Sequence, residues 1–346
     1  MTLMQLSDAH IIGAIISFLL SVFIVPAVIY VSQKKGLVDN PGTRKIHTHP
    51  IPRLGGVAIW IATMLTFVFL TALSYYPYGS RLSGVLIGST LMFLLGLIDD
   101  IYCLDAKFKF FIQISIATIA FCLGTQIEHV WLPFGIHFGL GIFSWPVTVL
   151  WIVGVSNAVN FIDGIDGLAG SVISVSAVTL GLIAASLTTS ATISPLIAFI
   201  LAGAMLAFLS YNFNPARIFM GDSGALFAGF MLATLSVTGV MRIESFGMWV
   251  PVLVLIVPVA DIFFSSTRRL LKGKSPFVAD AEHIHHKLLH AGFSQNKTVI
   301  ILSLVSVLSG FTAVLLINVS VIKYFIYAVV LAVIMILINF STKKTE

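Results

Sequence analysis

The stretch that decides the fold is Asn157-Ala158-Val159-Asn160-Phe161-Ile162-Asp163-Gly164-Ile165-Asp166-Gly167-Leu168-Ala169-Gly170. It places two amides, two carboxylates and three glycines between long apolar segments. Its polar residues recur at every third position, and on a straight helix they would fan across half the circumference. Gly164 and Gly167 would each cost a helix about 1 kcal/mol relative to alanine. The pattern predicts a helix ending near Asn160, a tight polar loop, and a new helix starting near Leu168.

The composition around this stretch is typical of an integral membrane protein. Hydrophobic residues make up 58% of the 346 positions and charged residues only 10%, and the mean hydropathy is +1.05. A soluble domain carries about 25% charged residues, so a soluble protein is excluded. We therefore expect an all-α polytopic membrane protein forming one domain over 1–346, because no polar segment is long enough to fold alone. Apolar runs predict about eleven spans, or ten if two closely spaced segments merge: 11–31, 55–75, 83–98, 109–125, 143–159, 168–188, 194–211, 224–241, 247–267, 298–317 and 321–340.

The basic residues predict an orientation for these spans. If the amino terminus lies outside, every Lys and Arg except Arg81, Arg242 and Lys323 falls on the inner side. The positive-inside rule then places the carboxyl terminus in the cytoplasm. The leader before the first span has no Lys or Arg, so no cleaved signal peptide is expected. On the outer face, alternating aromatic and glycine residues near 126–144 predict a short β-hairpin. The cytoplasmic loops are then 32–54, 99–108, 160–167, 212–223 and 268–297.

Carboxylates and imidazoles collect on four of these five loops. The residues concerned are Asp99, Asp100, Asp163, Asp166, Asp222, His283, His285 and His286. Each has an ordinary structural alternative. The acid pair can be a solvated helix end, the other aspartates can cap helices, and the histidines can form an exposed tract. However, an acid pair at a helix carboxyl terminus opposes the macrodipole and repels itself, so it requires a nearby cation or a shared proton.

Taken together, these residues indicate metal-assisted phosphoryl transfer. Aspartate and asparagine oxygens with no cysteine nearby suit Mg²⁺, or Mn²⁺ as a substitute, rather than Zn²⁺. Magnesium takes one or two protein oxygens and leaves its other positions for substrate phosphates. The surrounding excess of Lys and Arg suits an anionic substrate. An acidic centre ringed by basic residues therefore favours chemistry on a phosphorylated substrate.

The candidate residues fall mostly within four motifs, Gly96–Asp100, Asn157–Gly167, Asn212–Gly224 and His283–His286. These motifs resemble those of the polyprenyl-phosphate N-acetylhexosamine-1-phosphate transferases, glycosyltransferase family 4. The resemblance runs nearly end to end, and Pro52-Arg53-Leu54-Gly55-Gly56 adds to it. It implies a bacterial multi-pass enzyme of the inner (plasma) membrane with a cytoplasmic active site. The order His-Ile-His-His, rather than three consecutive histidines, resembles the branch that uses UDP-N-acetylglucosamine rather than the phospho-MurNAc-pentapeptide transferases.

The resemblance also implies substrates and residue roles. GlcNAc 1-phosphate would pass from UDP-GlcNAc to undecaprenyl phosphate, releasing UMP and starting a cell-envelope polysaccharide such as O-antigen or teichoic acid. The bilayer is the other partner, no nucleic acid is expected, and a homodimer stays an open alternative. Asp222 and Asn160 would bind Mg²⁺, and Asp163 would contribute to the metal or the ribose. Asp99 and Asp100 would bind or deprotonate the lipid phosphate. The remaining substrate contacts would be Asp166 and Phe219 to uridine, Lys109 to phosphates, and His283, His285 and His286 to diphosphate or sugar.

Some of these residues, and the function itself, have alternatives. Phe219 can be an ordinary core residue, and Lys109 an interfacial lysine whose amine reaches the headgroups. A transporter would place some of its charged residues at mid-membrane. The predicted spans here are almost free of charge, and the main exception, Asp261, lies about one or two turns from the inner end of its span. Gly221-Asp222 resembles part of the Gly-x-Gly-Asp signature of intramembrane aspartyl proteases. Phe219, however, stands where the first glycine is required.

Overall fold

The protein is a bundle of α-helices with two small antiparallel β pairs. The computed structural model describes residues 8–41, 49–73, 80–131, 137–187, 193–241, 247–273 and 283–317. Within these residues the helices are α1 (Asp8–Lys34), α2 (Gly55–Ala72), α3 (Ser80–Tyr102), α4 (Ala106–Cys122), α5 (Ser144–Ile162), α6 (Leu168–Ser186), α7 (Ser194–Asn212), α8 (Gly221–Gly239), α9 (Trp249–Val254), α10 (Ile256–Leu271), α11 (Ile284–His290) and α12 (Gln295–Ile317). The strand pairs are β1 (Val38–Asp39) with β2 (Ile51–Pro52), and β3 (His129–Trp131) with β4 (His137–Gly139).

Helix α8 lies at the centre of the bundle and packs against α2, α3, α5, α6 and α7. All of its residues from Ser223 to Val237 are buried. The neighbouring helices come close because they present glycine at the crossing. A Cβ on Gly96 of α3 would collide with the Asp222 carbonyl, and one on Gly56 of α2 would collide with the Gly224 amide. The polar start of α8 is thereby held against the amino-terminal end of α2 and the carboxyl-terminal end of α3.

Seven of the described helices are long and apolar enough to cross a membrane. They are α1, α2, α3, α5 with the short 3-10 turn before it, α6, α7 and α12. The outer helices expose large apolar side chains, such as Phe23 of α1 at 75% and Leu150 of α5 at 74%, which is a lipid-facing rather than a water-facing surface. The multi-pass character is confirmed. The count of about eleven spans and the orientation stay predictions, and the last predicted span, 321–340, lies outside the described residues.

Three local predictions can be compared with the structure. The helix before the polar loop continues two residues beyond Asn160, and the next helix begins at Leu168 as expected. The hairpin is confirmed, because β3 and β4 pair antiparallel with Trp131 opposite His137. The ninth predicted span is two helices, α9 and α10, with a break at Leu255. Pro258 explains the break, because it has no N–H to bond the carbonyl four residues earlier.

Candidate active site

One cavity of about 1150 Å³ opens where the polar ends of the central helices meet. Residues from each of the five loops that were predicted to be cytoplasmic line this cavity. Seven of the predicted site residues line it: Asp100, Asn160, Asp163, Asp166, Phe219, Asp222 and His286. The other four, Asp99, Lys109, His283 and His285, lie behind this wall and contact it or one another. The cavity is slightly larger than the range of about 300–1,000 Å³ that is typical of small-molecule sites, so a nucleotide sugar fits by volume.

The loop between α5 and α6 supplies two aspartates to the cavity. Helix α6 has Gly167 at its N-cap, with a φ of 81° and no side-chain cap, so the alternative that Asp163 or Asp166 caps this helix is wrong. Asp166 instead accepts a hydrogen bond from the Ala216 amide at 3.1 Å. Burial, followed by the carboxylates of Asp222, Asp100 and Asp166, raises the pKa of Asp163 well above its ordinary range. The loop therefore brings carboxylates together at a point where negative charge is unfavourable without a cation.

Lys109 joins Asp99 to Asp222. Its Nζ lies 2.7 Å from Asp99 Oδ2 and 2.6 Å from Asp222 Oδ2. The other oxygen of Asp99 accepts the Leu104 amide at 2.7 Å, which ties the end of α3 to the start of α4. Lys109 is therefore not simply an interfacial lysine. It supplies the positive charge that the acid pair requires, and it reaches the carboxylate predicted to bind metal.

Asp100 does a different job from Asp99. Its Oδ1 accepts the Asp222 amide at 2.9 Å and its Oδ2 accepts the Ser223 amide at 3.0 Å. These are first-turn N–H groups of α8, which have no partner within the helix. Gly221 permits the approach, because its φ is +72° and a Cβ there would meet the Asp100 carboxylate at 2.6 Å. Arg53 Nη2 lies 3.6 Å from Asp100 Oδ1.

These contacts exclude two ordinary alternatives. The acid pair is not a solvated helix end, because Asp99 and Asp100 are both buried. Asp222 is not the N-cap of α8, because that position belongs to Met220. The carboxylate that caps α8 comes instead from α3.

Phe219 is positioned by its backbone. Its N–H donates to the Pro52 carbonyl at 2.7 Å, and its carbonyl accepts the Gly55 amide at 2.9 Å. These bonds extend the β1–β2 pair toward α8. The ring is partly buried and lines the cavity, so the interpretation of Phe219 as an ordinary core residue is wrong.

The histidines of the last loop form a packed cluster, not an exposed tract. His283 and His285 are buried, and only His286 lines the cavity. His283 and His285 do not line the cavity, so the structure does not place them in the direct substrate contact that was expected of them. Burial, followed by the neighbouring His286, lowers the pKa of His285 to about 3, so this imidazole is neutral. Its Nε2 lies 2.5 Å from where a Cβ on Gly164 would be, which explains the glycine at that position.

Several contacts near the cavity were not predicted from the sequence. Asn212 accepts the Gly167 amide at 3.0 Å and donates to the Ile218 carbonyl at 2.9 Å, joining two cavity loops. The side chain of Asn157, on α5, donates to that of Gln113, on α4, at 2.7 Å. The signal available in the sequence was the polar type of these residues inside apolar runs.

The donor set fits a divalent cation. Five aspartates and two arginines line the cavity, so an anionic substrate would meet an excess of negative charge. Among the described residues no group of three or more His, Cys, Asp or Glu side chains is spaced to hold an ion alone. Magnesium takes one or two carboxylates in many proteins and completes its shell with water and substrate phosphates. Asp222, Asn160 and Asp163 provide hard oxygen donors among the residues that line the cavity.

The part of the chain that carries most of the site residues matches a known protein family. A family model described as glycosyl transferase family 4 matches residues 82–240, which include Asp99, Asp163 and Asp222. The probable undecaprenyl-phosphate N-acetylglucosaminyl 1-phosphate transferase of Bacillus subtilis (strain 168) is 34% identical over 308 residues, covering 88% of this chain and 84% of that protein. This chain belongs to glycosyl transferase family 4. The resemblance drawn from the motifs is confirmed at the level of the family.

Two further relatives support the assignment to glycosyl transferase family 4. The decaprenyl-phosphate N-acetylglucosaminephosphotransferase of Mycobacterium tuberculosis (strain H37Rv) is 32% identical over 331 residues, covering 87% of this chain and 80% of that protein. The undecaprenyl-phosphate alpha-N-acetylglucosaminyl 1-phosphate transferase of Salmonella typhimurium (strain LT2) is 28% identical over 310 residues, covering 85% and 82%. Both alignments span most of the two chains, so the similarity is not confined to one motif.

Proposed function

We propose that the protein transfers GlcNAc 1-phosphate from UDP-GlcNAc to undecaprenyl phosphate at the cytoplasmic face of a bacterial inner membrane. The observation that carries the proposal is the cavity, where Asp222, Asp163, Asp166, Asn160 and Phe219 converge. The names of the three relatives support the choice of sugar, since each is named for N-acetylglucosamine. Two of them are named for undecaprenyl phosphate and the mycobacterial protein for decaprenyl phosphate, so the lipid belongs to a polyprenyl class.

The nucleoside would bind at the loop between α7 and α8. Phe219 offers an aromatic face at the cavity wall, and backbone bonds on both sides fix its place. Arg217 lines the same wall and carries a guanidinium suited to phosphate oxygens. Asp166 is held in this loop by the Ala216 amide, which leaves its second oxygen for a uridine hydroxyl or ring N–H. These residues bind and orient the leaving group.

The reaction is a displacement at phosphorus. An oxygen of the lipid phosphate attacks the β-phosphorus of UDP-GlcNAc, the bond from that phosphorus to the bridging oxygen breaks, and UMP leaves with that oxygen. A phosphate monoester has a second pKa of about 6, so the attacking group is largely a dianion at neutral pH and requires no strong base. Positioning and charge neutralisation therefore supply most of the rate.

Cations at the cavity offset the charge of the two anionic substrates. Arg53 and Arg217 line the cavity. Lys109 lies behind its wall between Asp99 and Asp222, and it would exchange a carboxylate for a phosphate oxygen when substrate binds. Asp222 and Asn160, with Asp163, would hold Mg²⁺, or Mn²⁺ in its place. When bound, that ion supplies charge neutralisation at the diphosphate. Asp100 holds the first turn of α8, and so it sets the position of Asp222 rather than touching substrate.

The test is UMP release by purified protein with Mg²⁺ and undecaprenyl phosphate. UDP-GlcNAc is compared with UDP-GalNAc and UDP-MurNAc-pentapeptide, and decaprenyl phosphate is compared as acceptor. We expect UMP only with UDP-GlcNAc. Turnover only with the pentapeptide nucleotide would move the chain to the other branch of the family, and no UMP with any nucleotide would overturn the proposal.

A residue test accompanies the substrate test. Asp222→Asn should abolish turnover while the protein still inserts and purifies, because it removes the charged oxygen predicted to bind metal. Asp8→Asn makes the same exchange at an exposed acid on the first turn of α1, and it serves as the matched control. Activity of Asp222→Asn close to that of the control would remove Asp222 from the metal site.

A further inference from the structure

Asp261 is a buried carboxylate within a predicted membrane span. It lies on α10 and is 1% exposed. An unpaired carboxylate at such a place would be strongly unfavourable. The structure gives both of its oxygens a partner. Oδ2 lies 2.7 Å from His283 Nδ1, and Oδ1 accepts the Ile284 amide at 2.7 Å.

His283 is the first of three imidazoles that lead from Asp261 to the cavity. Its ring stacks parallel to that of His285, with centroids 5.8 Å apart and planes 3° apart. The centroid of His285 lies 4.2 Å from that of His286, which lines the cavity. The ring of Phe161 also packs against His283, with centroids 5.5 Å apart and planes 35° apart, so two neighbouring rings contact this imidazole.

Asp261 also fixes where α11 begins. His283 is the N-cap of this helix and makes no side-chain cap, so the first turn depends on an acceptor from elsewhere. Asp261 supplies it by accepting the Ile284 amide. One carboxylate therefore sets both the orientation of the first imidazole and the start of the helix that carries the other two. Carboxylates that orient a functional histidine in this way set its tautomer as well as its direction.

We propose that Asp261 is a positioning residue: through His283 and the first turn of α11 it holds His286 at the cavity for contact with the diphosphate. This inference rests on the proposed function, because it concerns the same site. It also accounts for the acid that the transporter alternative relied on. Asp261 faces an imidazole and a backbone amide, not a pathway through the membrane.

The experiment compares Asp261→Asn, His283→Gln and the double variant in the UMP assay, with kcat and KM measured for both substrates. Asparagine keeps the shape and can accept the Ile284 amide, but its amide nitrogen would face His283 and reverse the tautomer. We expect kcat to fall about 10- to 100-fold in each single variant, with KM for the lipid phosphate changed by less than about threefold. The double variant should be no slower than the worse single one, because both changes break one connection. Ser265→Ala, at another buried polar residue of α10, is the control and should keep wild-type kcat.

Wild-type kcat in a folded Asp261→Asn, or a double variant whose loss equals the product of the two single losses, would overturn the inference. If Asp261→Asn does not fold, His283→Gln decides by the same criterion. A readout that does not depend on turnover is ¹⁵N labelling of the nine histidines, with His283→Gln assigning the signal. A protonated Nδ1 on His283 that is lost in Asp261→Asn supports the pair, and an unprotonated wild-type Nδ1 contradicts it. A wild-type protein that releases no UMP fails the proposed function, whereas the labelling result still decides the pair.

Discussion

Substitution of Asp100 separates an anchoring role from a chemical one. The carboxylate is buried, and each of its oxygens accepts one amide of the first turn of α8. Asparagine has one acceptor oxygen, so Asp100→Asn loses one charge-assisted hydrogen bond and turns an N–H₂ group toward an amide donor. A hydrogen bond to a charged group contributes about 1.5–3 kcal/mol, and we expect the free energy of unfolding to fall by that amount. Asp100→Ala leaves both amides unsatisfied and should cost more.

Asp105 provides a matched control for this substitution. It is the N-cap of α4, and its side chain accepts the Lys107 and Phe108 amides on an exposed surface. Asparagine caps helices about as well as aspartate, so Asp105→Asn should change stability by less than about 0.5 kcal/mol. The assay is thermal unfolding of the two purified variants in the same detergent, with UMP release measured in parallel.

The two roles of Asp100 predict different results. If Asp100 anchors α8, Asp100→Asn unfolds at a lower temperature than Asp105→Asn and also loses turnover, because Asp222 moves with the helix. If Asp100→Asn keeps the wild-type unfolding temperature and loses turnover alone, the carboxylate acts on the lipid phosphate and the anchoring argument is refuted.

The remaining predictions concern the loop between α5 and α6, the charge on Asp163, and a side-chain pair between α4 and α5. Gly164→Ala should lower turnover and reduce the free energy of unfolding by about 1–3 kcal/mol, because the new Cβ would lie 2.5 Å from His285 Nε2. Gly154→Ala is the control for both measurements, because a Cβ there has no neighbour within 4 Å. For Asp163 the raised native pKa means that the folded protein binds more protons than the unfolded chain above pH 3.8, so rising pH destabilises it. In EDTA at neutral pH, Asp163→Asn should therefore melt at a higher temperature than the wild type. Adding Mg²⁺ should raise the melting temperature of the wild type more than that of Asp163→Asn. A variant that melts below the wild type in EDTA would contradict this. Gln113→Leu should cost about 0.6–2 kcal/mol by breaking its amide pair with Asn157, and adding Asn157→Leu should cost little more. Additive losses in the two melting curves would contradict that pairing.

The sequence predicted the features that depend on local pattern. Two glycines between apolar runs placed the loop that the structure shows between Ile162 and Leu168. The alternation near Trp131 predicted the hairpin. The predicted topology put five loops on one side of the membrane, and in the structure seven of the eleven predicted site residues line a cavity formed by these loops. Periodicity, glycine placement and charge distribution are properties of short segments, and they are visible without the fold.

The division of roles within the site depended on distant contacts. Asp99 and Asp100 are adjacent, yet one binds Lys109 and the other binds amides more than a hundred residues away. Pairing of His283 with Asp261 depends on how α10 packs, and no spacing rule predicts it. Hydropathy located the central helix α8, which matches the predicted span 224–241. It did not predict that five neighbouring helices cover α8, because burial by protein and burial by lipid select the same apolar residues.

The central claim is that a sugar phosphate, rather than a sugar alone, moves to the lipid. UDP-GlcNAc labelled with ³²P at the β-phosphorus distinguishes the two directly. After reaction with undecaprenyl phosphate and extraction into organic solvent, we predict that the label enters the lipid phase and that the released nucleotide is unlabelled UMP. Label that stays in the aqueous phase as UDP while sugar reaches the lipid would contradict the claim.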